Sequence, residues 1–332
     1  MTSSRLDVLA IGNAIVDVIA DASDEFLDAQ GLTKGSMRLI DQAESARLYD
    51  KMGPAREASG GSAANTVAGL ASLGLKVGFI GQLADDQLGQ IFTHDIRSLG
   101  VEFDTPMRSD VGATARCLIL VTPDAQRTMN TFLGAAQMLA PEAVDPARVA
   151  DAEIVYLEGY LWDPEAPRAA MYAAMDAARR TGTKVAFTLS DSFVVDRHRA
   201  DLAGLLDDRR IDILFANEAE LLQLSGLADF GAAVESVAAR VATLVVTRGA
   251  DGAVARRRDG EAAQVPAEPI ERLVDTTGAG DLFAAGFLAG EARGLGLEKS
   301  LKLGAIAAAE VIQHYGARPE ADLKALAGEL LI

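Results

Sequence analysis

Cysteine is all but missing from this chain: Cys117 is the only one in 332 residues. That excludes an intrachain disulfide and any cysteine-based metal site. Cys117 stands in "TARCLILVT", an apolar strand pattern in which a thiol packs as a small hydrophobe rather than acting as a nucleophile. Histidine is scarce as well, and His94, His198 and His314 are scattered, never paired at ligand spacing. No apolar run reaches the ~18 residues of a membrane-spanning helix. The opening "MTSSRLDVLAIGN" lacks the charged segment, hydrophobic stretch and cleavage site of a secretory signal, so a cytoplasmic protein with no membrane partner is expected. Basic residues are in deficit, 31 against 48 acidic, for a net charge of -17. Nucleic-acid affinity rests on neutralising phosphates with Lys and Arg, so that partner class is excluded. Three familiar motifs are missing too. There is no Gly-Lys dipeptide for a Walker A loop and no G-x-S-x-G elbow, and "GAGDLF" lacks the last glycine of the dinucleotide fingerprint.

Apolar residues make up 49% and charged residues 24%, the balance of a globular protein with a sizeable core. "LDVLAIGN" reads as a strand buried on both faces, and "SAANTVAGLASLG" as a helix capped by Ser62 and ended by Gly74. "EIVYLEG", "KVAFTLSD", "IDILFAN" and "TLVVTRG" are further short apolar strands separated by helical stretches. Such alternation predicts an α/β fold, a parallel sheet covered by helices on both faces. "AIVDVIADAS", "GSMRLI" and the run from "VEFDTP" to "QRTMNTFL" instead read as consecutive strands joined by turns. They predict a small β-sheet lid.

"LVDTTGAGDLFAAGFLAG" sets a glycine-rich turn and an acid at the mouth of an apolar helix. A turn feeding a helix leaves the first N–H groups unpaired, and with the helix dipole they seat an anion, most often a phosphate. Asp281 at that place can accept the proton of a hydroxyl aimed at the phosphate. The parts are those of phosphoryl transfer to an alcohol. The plainer reading, caps and a tight turn before a core helix, suits a generic glycine turn better than it suits seven residues reading "DTTGAGD".

The sequence resembles the ribokinase-like, or PfkB, carbohydrate and nucleoside kinases. "DTTGAGD" is similar to that family's carboxyl-terminal signature and "GGSAANTVAGLASLG" to its amino-terminal one, with smaller motifs in family order between them. The resemblance implies a single kinase domain over residues 1–332, a three-layer α/β/α fold with a mostly parallel central sheet. The discontinuous lid would take about 14–20, 35–40 and 101–133. It implies that Asp281 is the catalytic base, ionised at neutral pH by its helix terminus. Gly278, Ala279, Gly280 and Asp281 would lend the backbone of the anion hole.

"IGNAIVDV" places Asn13 and Asp17 by the acceptor, where Gly60, Gly61 and Asn65 would hold the sugar. By itself Asp17 also suits a solvated strand edge. Asn217 and Glu220 of "NEAE" match the family's pair that orders magnesium through its waters, and they equally form a capping box. Thr247, Gly249 and Gly252 would line ATP, although their turn also needs glycines in its own right. Arg127 matches a lid arginine brought toward the phosphates. Potassium, a frequent activator in the family, would bind near the backbone of Asp275 and Thr277.

"GGSAAN", "QRTMNTFLGAA" and "LEGYLWD" resemble adenosine kinases and their bacterial relatives most. Tyr160 then lies against the nucleoside and Met37 faces it from the lid, although both equally suit the core, and a single Met suits it better. The expected function is ATP- and magnesium-dependent phosphorylation of a nucleoside's 5′-type hydroxyl, adenosine foremost, as in purine salvage. The protein would be a monomer or a lid-mediated homodimer. Glu158 replaces a smaller residue and would suit a sugar hydroxyl, which keeps a ribose, fructose or 2-keto-3-deoxygluconate kinase as the alternative. A non-catalytic nucleoside- or sugar-binding regulator stands further off, since Asp281 and the glycines are retained.

Overall fold

A computed structural model describes residues 5–331 apart from 125. Fourteen strands are assigned among the described residues: β1 Leu6–Ile11, β2 Ile15–Asp21, β3 Met37–Leu39, β4 Ala55–Gly60, β5 Val77–Ile80, β6 Glu102–Phe103, β7 Ala115–Val121, β8 Arg127–Phe132, β9 Ala152–Glu158, β10 Lys184–Thr188, β11 Ile213–Asn217, β12 Thr243–Thr247, β13 Ala253–Arg257 and β14 Ala262–Val265. Nine of them form one sheet in the order β14-β13-β12-β11-β10-β9-β1-β5-β6. It is parallel from β12 through to β6, and β13 and β14 add an antiparallel edge.

The central strands are apolar at successive positions because both faces are covered. In β1, Val8 and Ala10 join an apolar core with helices Ser62–Ser72, Ala279–Ala292 and Leu297–Val311. Leu6, Leu9 and Ile11 join a second core with helices Glu165–Thr181, Ser192–Asp207 and Phe230–Ala238. Two cores on either face of one sheet make three layers, the ribokinase-like α/β/α architecture.

The other five strands form a smaller sheet in the order β3-β8-β7-β2-β4. Val16, Val18 and Ala20 of β2 are buried, while Ile15, Asp17 and Ile19 between them are partly open. β4, "AREASG", forms one edge of this sheet although nothing in its pattern announces a strand, and β6 pairs with β5 in the main sheet. The helix at Ser62 begins without a side-chain cap: Gly61 is the capping residue, and the Ser62 hydroxyl is directed elsewhere.

Candidate active site

Parallel strands bring their carboxyl ends to one edge, where open α/β sheets bind ligands. Glu158, Asn217 and Thr247 are the last residues of β9, β11 and β12, and Asn13 follows β1. The helices Ser62–Ser72 and Ala279–Ala292 begin beside them, and their first turns meet at Asp281. Ser62 Oγ donates to Asp281 Oδ1 at 2.6 Å, and Asn65 Nδ2 donates to Oδ2 at 3.0 Å. Thr66 Oγ1 donates to the Asp281 carbonyl at 3.2 Å, tying the two helices together.

Burial pushes the Asp281 pKa above the usual carboxylate range, and the Ser62 and Asn65 donors pull it back only in part. Desolvation thus opposes the charge that the helix terminus favours. Gly278 caps the helix in the left-handed region, φ 81°, and no side chain caps it. A Cβ on Gly278 would lie 2.7 Å from Ala317 Cα, so the close approach of the chain's last segment requires glycine there. Gly280 opens onto free space. The helix start is therefore accessible to an anion.

Glu158 is fully buried and already engaged. Its Oε1 accepts from the Asn13 backbone N–H at 2.8 Å and from Asn13 Nδ2 at 2.5 Å. Its Oε2 accepts from Ala63 N–H at 2.7 Å, standing in for the missing cap of the Ser62 helix. Burial pushes its pKa up to about 7 against these three donors. Gly61, at φ 102°, passes so close to Asn13 that a Cβ would meet the Asn13 carbonyl oxygen at 2.2 Å. A Cβ on Gly60 would meet Asp17 Oδ2 at 2.5 Å. Asn13, Asp17, Gly60, Gly61, Asn65 and Asp281 are thus brought together, and Asn65 Oδ1 is buried with no partner among the described residues. Tyr160, 39% exposed, stands at the rim within reach of the charges on Asp281 and Glu220. Met37 is on the outer strand of the small sheet, 49% exposed and in register with Met129.

Asp17 is pushed up to about 6 by burial, with Arg318 and Arg127 acting in the opposite sense. Arg127 Nη1 pairs with Asp275 Oδ2 at 2.5 Å, and its guanidinium lies over the Tyr315 ring. Arg318, in the loop after the helix Leu297–Val311, carries no motif and is legible in sequence only as a lone basic residue in "HYGARPEAD".

Asn217 and Glu220 make the reciprocal capping box in full: Glu220 N–H donates to Asn217 Oδ1, and Asn217 N–H and Nδ2 donate to the Glu220 carboxylate. Thr247 lies beside Asn217 in register, and Gly249 opens onto free space one residue past Arg248. Gly252 answers a packing demand instead, since a Cβ there would sit 2.0 Å from the Val265 carbonyl oxygen.

No cluster of three or more His, Cys, Asp or Glu side chains able to hold a metal occurs among the described residues. Magnesium nonetheless fits here, since it keeps several waters and leans on substrate phosphates. The exposed Asn217 and the Glu220 carboxylate retain lone pairs to hold such waters.

The Asp275 carboxylate itself leaves no place for potassium, whereas the backbone near Asp275 and Thr277, which the resemblance implies, is a different donor set. Asp275 Oδ1 accepts from the Thr277 N–H and hydroxyl, and its Oδ2 from Gly316 N–H and Arg127, which fills its acceptor positions. The guanidinium already supplies the positive charge. Replacing potassium by choline in the assay is expected to change turnover less than about twofold, because the charged hydrogen bond from Arg127 is built in. Strong potassium activation would show that the backbone carbonyls suffice for the ion.

No helix among the described residues is long and apolar enough to cross a membrane. The family profile described as "pfkB family carbohydrate kinase" matches residues 7–323. The crystal structure of a probable sugar kinase from Rhizobium etli is 47% identical, with a TM-score of 0.91 over 99% of this chain and 100% of the other. An adenosine kinase from Sinorhizobium meliloti is 48% identical, with a TM-score of 0.89 over 97% and 98%. A fructokinase of Klebsiella pneumoniae is 31% identical over 77% of this chain and 84% of its own length. With the two signatures joined at Asp281 and the fold and profile in agreement over nearly its whole length, the chain belongs to the pfkB family of carbohydrate kinases and is a phosphotransferase with an alcohol acceptor.

Proposed function

We propose that the protein transfers the γ-phosphoryl group of ATP to the 5′-hydroxyl of a nucleoside, adenosine before others. The observation that carries nucleoside over sugar is the engagement of Glu158. Its two oxygens hold Asn13 and the Ser62 helix, so the one feature that favoured a sugar hydroxyl is a scaffold. Tyr160 adds an exposed aromatic ring at the rim, suited to stacking on a planar base. The likeness to the Sinorhizobium adenosine kinase supports the same choice.

Asp17 and Asn65 orient the acceptor's hydroxyls, and Asp281 aligns the reacting one and takes its proton. The amides of Gly278, Gly280 and Asp281 receive the transferring phosphoryl oxygens, while the Ala279 N–H closes the turn on the Thr276 carbonyl. Magnesium, when bound, neutralises phosphate charge, and Asn217 and Glu220 would hold its waters. Thr247 and Gly249 border the nucleotide, and the small sheet acts as a lid that keeps water from the phosphoryl group.

The test is ADP release from Mg·ATP with adenosine, inosine, guanosine, ribose, fructose and 2-keto-3-deoxygluconate. Adenosine is expected to exceed every sugar in kcat/KM. Turnover with a sugar alone would keep the chemistry and overturn the acceptor.

A further inference from the structure

Glu310 lies on the last turn of the helix Leu297–Val311, buried in a run of small apolar residues, "AIAAAEVI". A buried carboxylate is costly, and only His314 stands within ion-pair distance of it among the described residues. Its Oε2 is shut off from solvent with no partner. Stability alone would be served as well by an apolar side chain of similar size. The other oxygen shows what the carboxylate does instead. Oε1 accepts from the backbone N–H of Glu320 at 2.9 Å and of Ala321 at 2.8 Å, and His314 Nε2 stands 3.1 Å away.

Those bonds join the end of a helix to backbone ten and eleven residues further on, so the segment between them is drawn into a strap. The strap crosses the turn that leads to Asp281. The Ile312 carbonyl accepts from Val274 N–H at 2.8 Å, and Gly316 N–H donates to Asp275 Oδ2 at 3.2 Å. Ala317 backs Gly278, where a Cβ would lie 2.7 Å from the Ala317 Cα. Asp275 Oδ1 in turn holds the Thr277 N–H and hydroxyl. The strap thus meets the glycine turn through its own backbone, and backbone holds its place only as well as its ends are fixed.

We propose that Glu310 is a positioning residue for phosphoryl transfer. It ties the strap shut and so holds the turn Asp275–Gly278, and with it the amides of Gly278, Gly280 and Asp281, where the transferring phosphoryl group arrives. This rests on the phosphotransferase reading and is independent of the acceptor's identity. Glu310 acts through the strap and touches neither Asp281 nor the pocket around it. Its effect falls on the transition state, because displaced amides stabilise developing charge less while nucleotide and acceptor keep their own contacts.

The experiment compares wild type, Glu310→Ala and Glu310→Gln in steady-state kinetics with Mg·ATP and the best acceptor of the panel, and in backbone hydrogen exchange at Gly316. Glu310→Ala removes the acceptor of both strap amides. Glu310→Gln keeps an oxygen toward them and puts its nitrogen where the orphaned oxygen lies. In Glu310→Ala, exchange at Gly316 is expected to quicken at least about tenfold and kcat to fall about tenfold or more, with both KM values unchanged. Glu310→Gln should recover most of each loss. An unchanged kcat in folded Glu310→Ala overturns the proposal. So does a raised KM with kcat intact, or a Glu310→Gln as slow as the alanine variant. Exchange at Gly316 as slow as in wild type overturns it too, since the tie would then not reach the turn. Should Glu310→Ala fail to fold, Glu310→Asp, which keeps the charge and withdraws it by one methylene, is held to the same criteria. Were wild type to turn over no acceptor, the phosphotransferase reading would fail, while exchange at Gly316 still decided whether Glu310 governs the strap.

Discussion

Asp281→Asn is expected to lower kcat by about 10³-fold, within the range a positioned general base supplies, and to leave the fold intact. The substitution changes little in volume. Asn65 Nδ2 donates to one oxygen of Asp281 and Ser62 Oγ donates to the other. An asparagine that keeps its oxygen toward Asn65 presents its amide to Ser62, whose hydroxyl can rotate to accept. No buried donor is stranded, so a thermal melt close to wild type should accompany the loss of turnover.

The same residue sets the acid side of the pH profile. Because burial raises the Asp281 pKa, the fraction of unprotonated base grows with pH, and kcat should rise toward neutrality along a limb that Asp281→Asn lacks. A variant that retained more than about a tenth of kcat would remove Asp281 from the chemistry, since a proton acceptor cannot be replaced by an amide at so small a loss.

Elements whose pattern is a direct image of their burial were legible in the chain. β1, β9, β10, β11 and β12 are apolar at successive central positions because helices cover both faces, and the "NEAE" capping box is complete in the structure. β4 was not legible. "AREASG" alternates nothing and is a strand only because β2 offers it a pairing edge. Ser62 reads as a helix cap by type, but its hydroxyl finds a stronger acceptor in a carboxylate more than two hundred residues away. Asp281 illustrates a further limit: spacing locates the base and the helix terminus, whereas its protonation depends on how much protein surrounds it. Glu310 belongs to no motif, so only the closing of the last loop over Gly278 gives it meaning.

Glu158 carries the second large expectation, and here the sign of the pH dependence is unusual. Glu158→Ala leaves three buried donors without an acceptor, the Asn13 N–H, Asn13 Nδ2 and Ala63 N–H. At about 1–3 kcal/mol for each stranded group, partly recovered by relaxation, the loss of stability should reach about 3–5 kcal/mol. Glu158→Gln keeps one acceptor for Asn13 and turns an amide N–H toward the helix start at Ala63, so it should cost less, about 1–3 kcal/mol. Its acceptor KM should still rise about tenfold, because Asn13 and the Ser62 helix position the hydroxyl, and small displacements are costly in phosphoryl transfer.

Burial raises the Glu158 pKa from 4.5 to about 7. Between those values the folded protein holds a proton that the unfolded chain has released. The stability contribution is therefore fully present below 4.5 and is lost as pH rises through about 7, the reverse of a salt-bridged carboxylate. Asp17, raised to about 6, and Glu220, raised to about 7, act in the same direction, so wild-type stability without ligand should fall between about pH 5 and pH 7.5 from these three groups. Glu158→Gln removes one titrating group and should flatten that slope by its share. Denaturant unfolding at the two pH values in both proteins measures the difference. Equal slopes would mean that Glu158 stays ionised in the folded protein, with its three donors outweighing its burial.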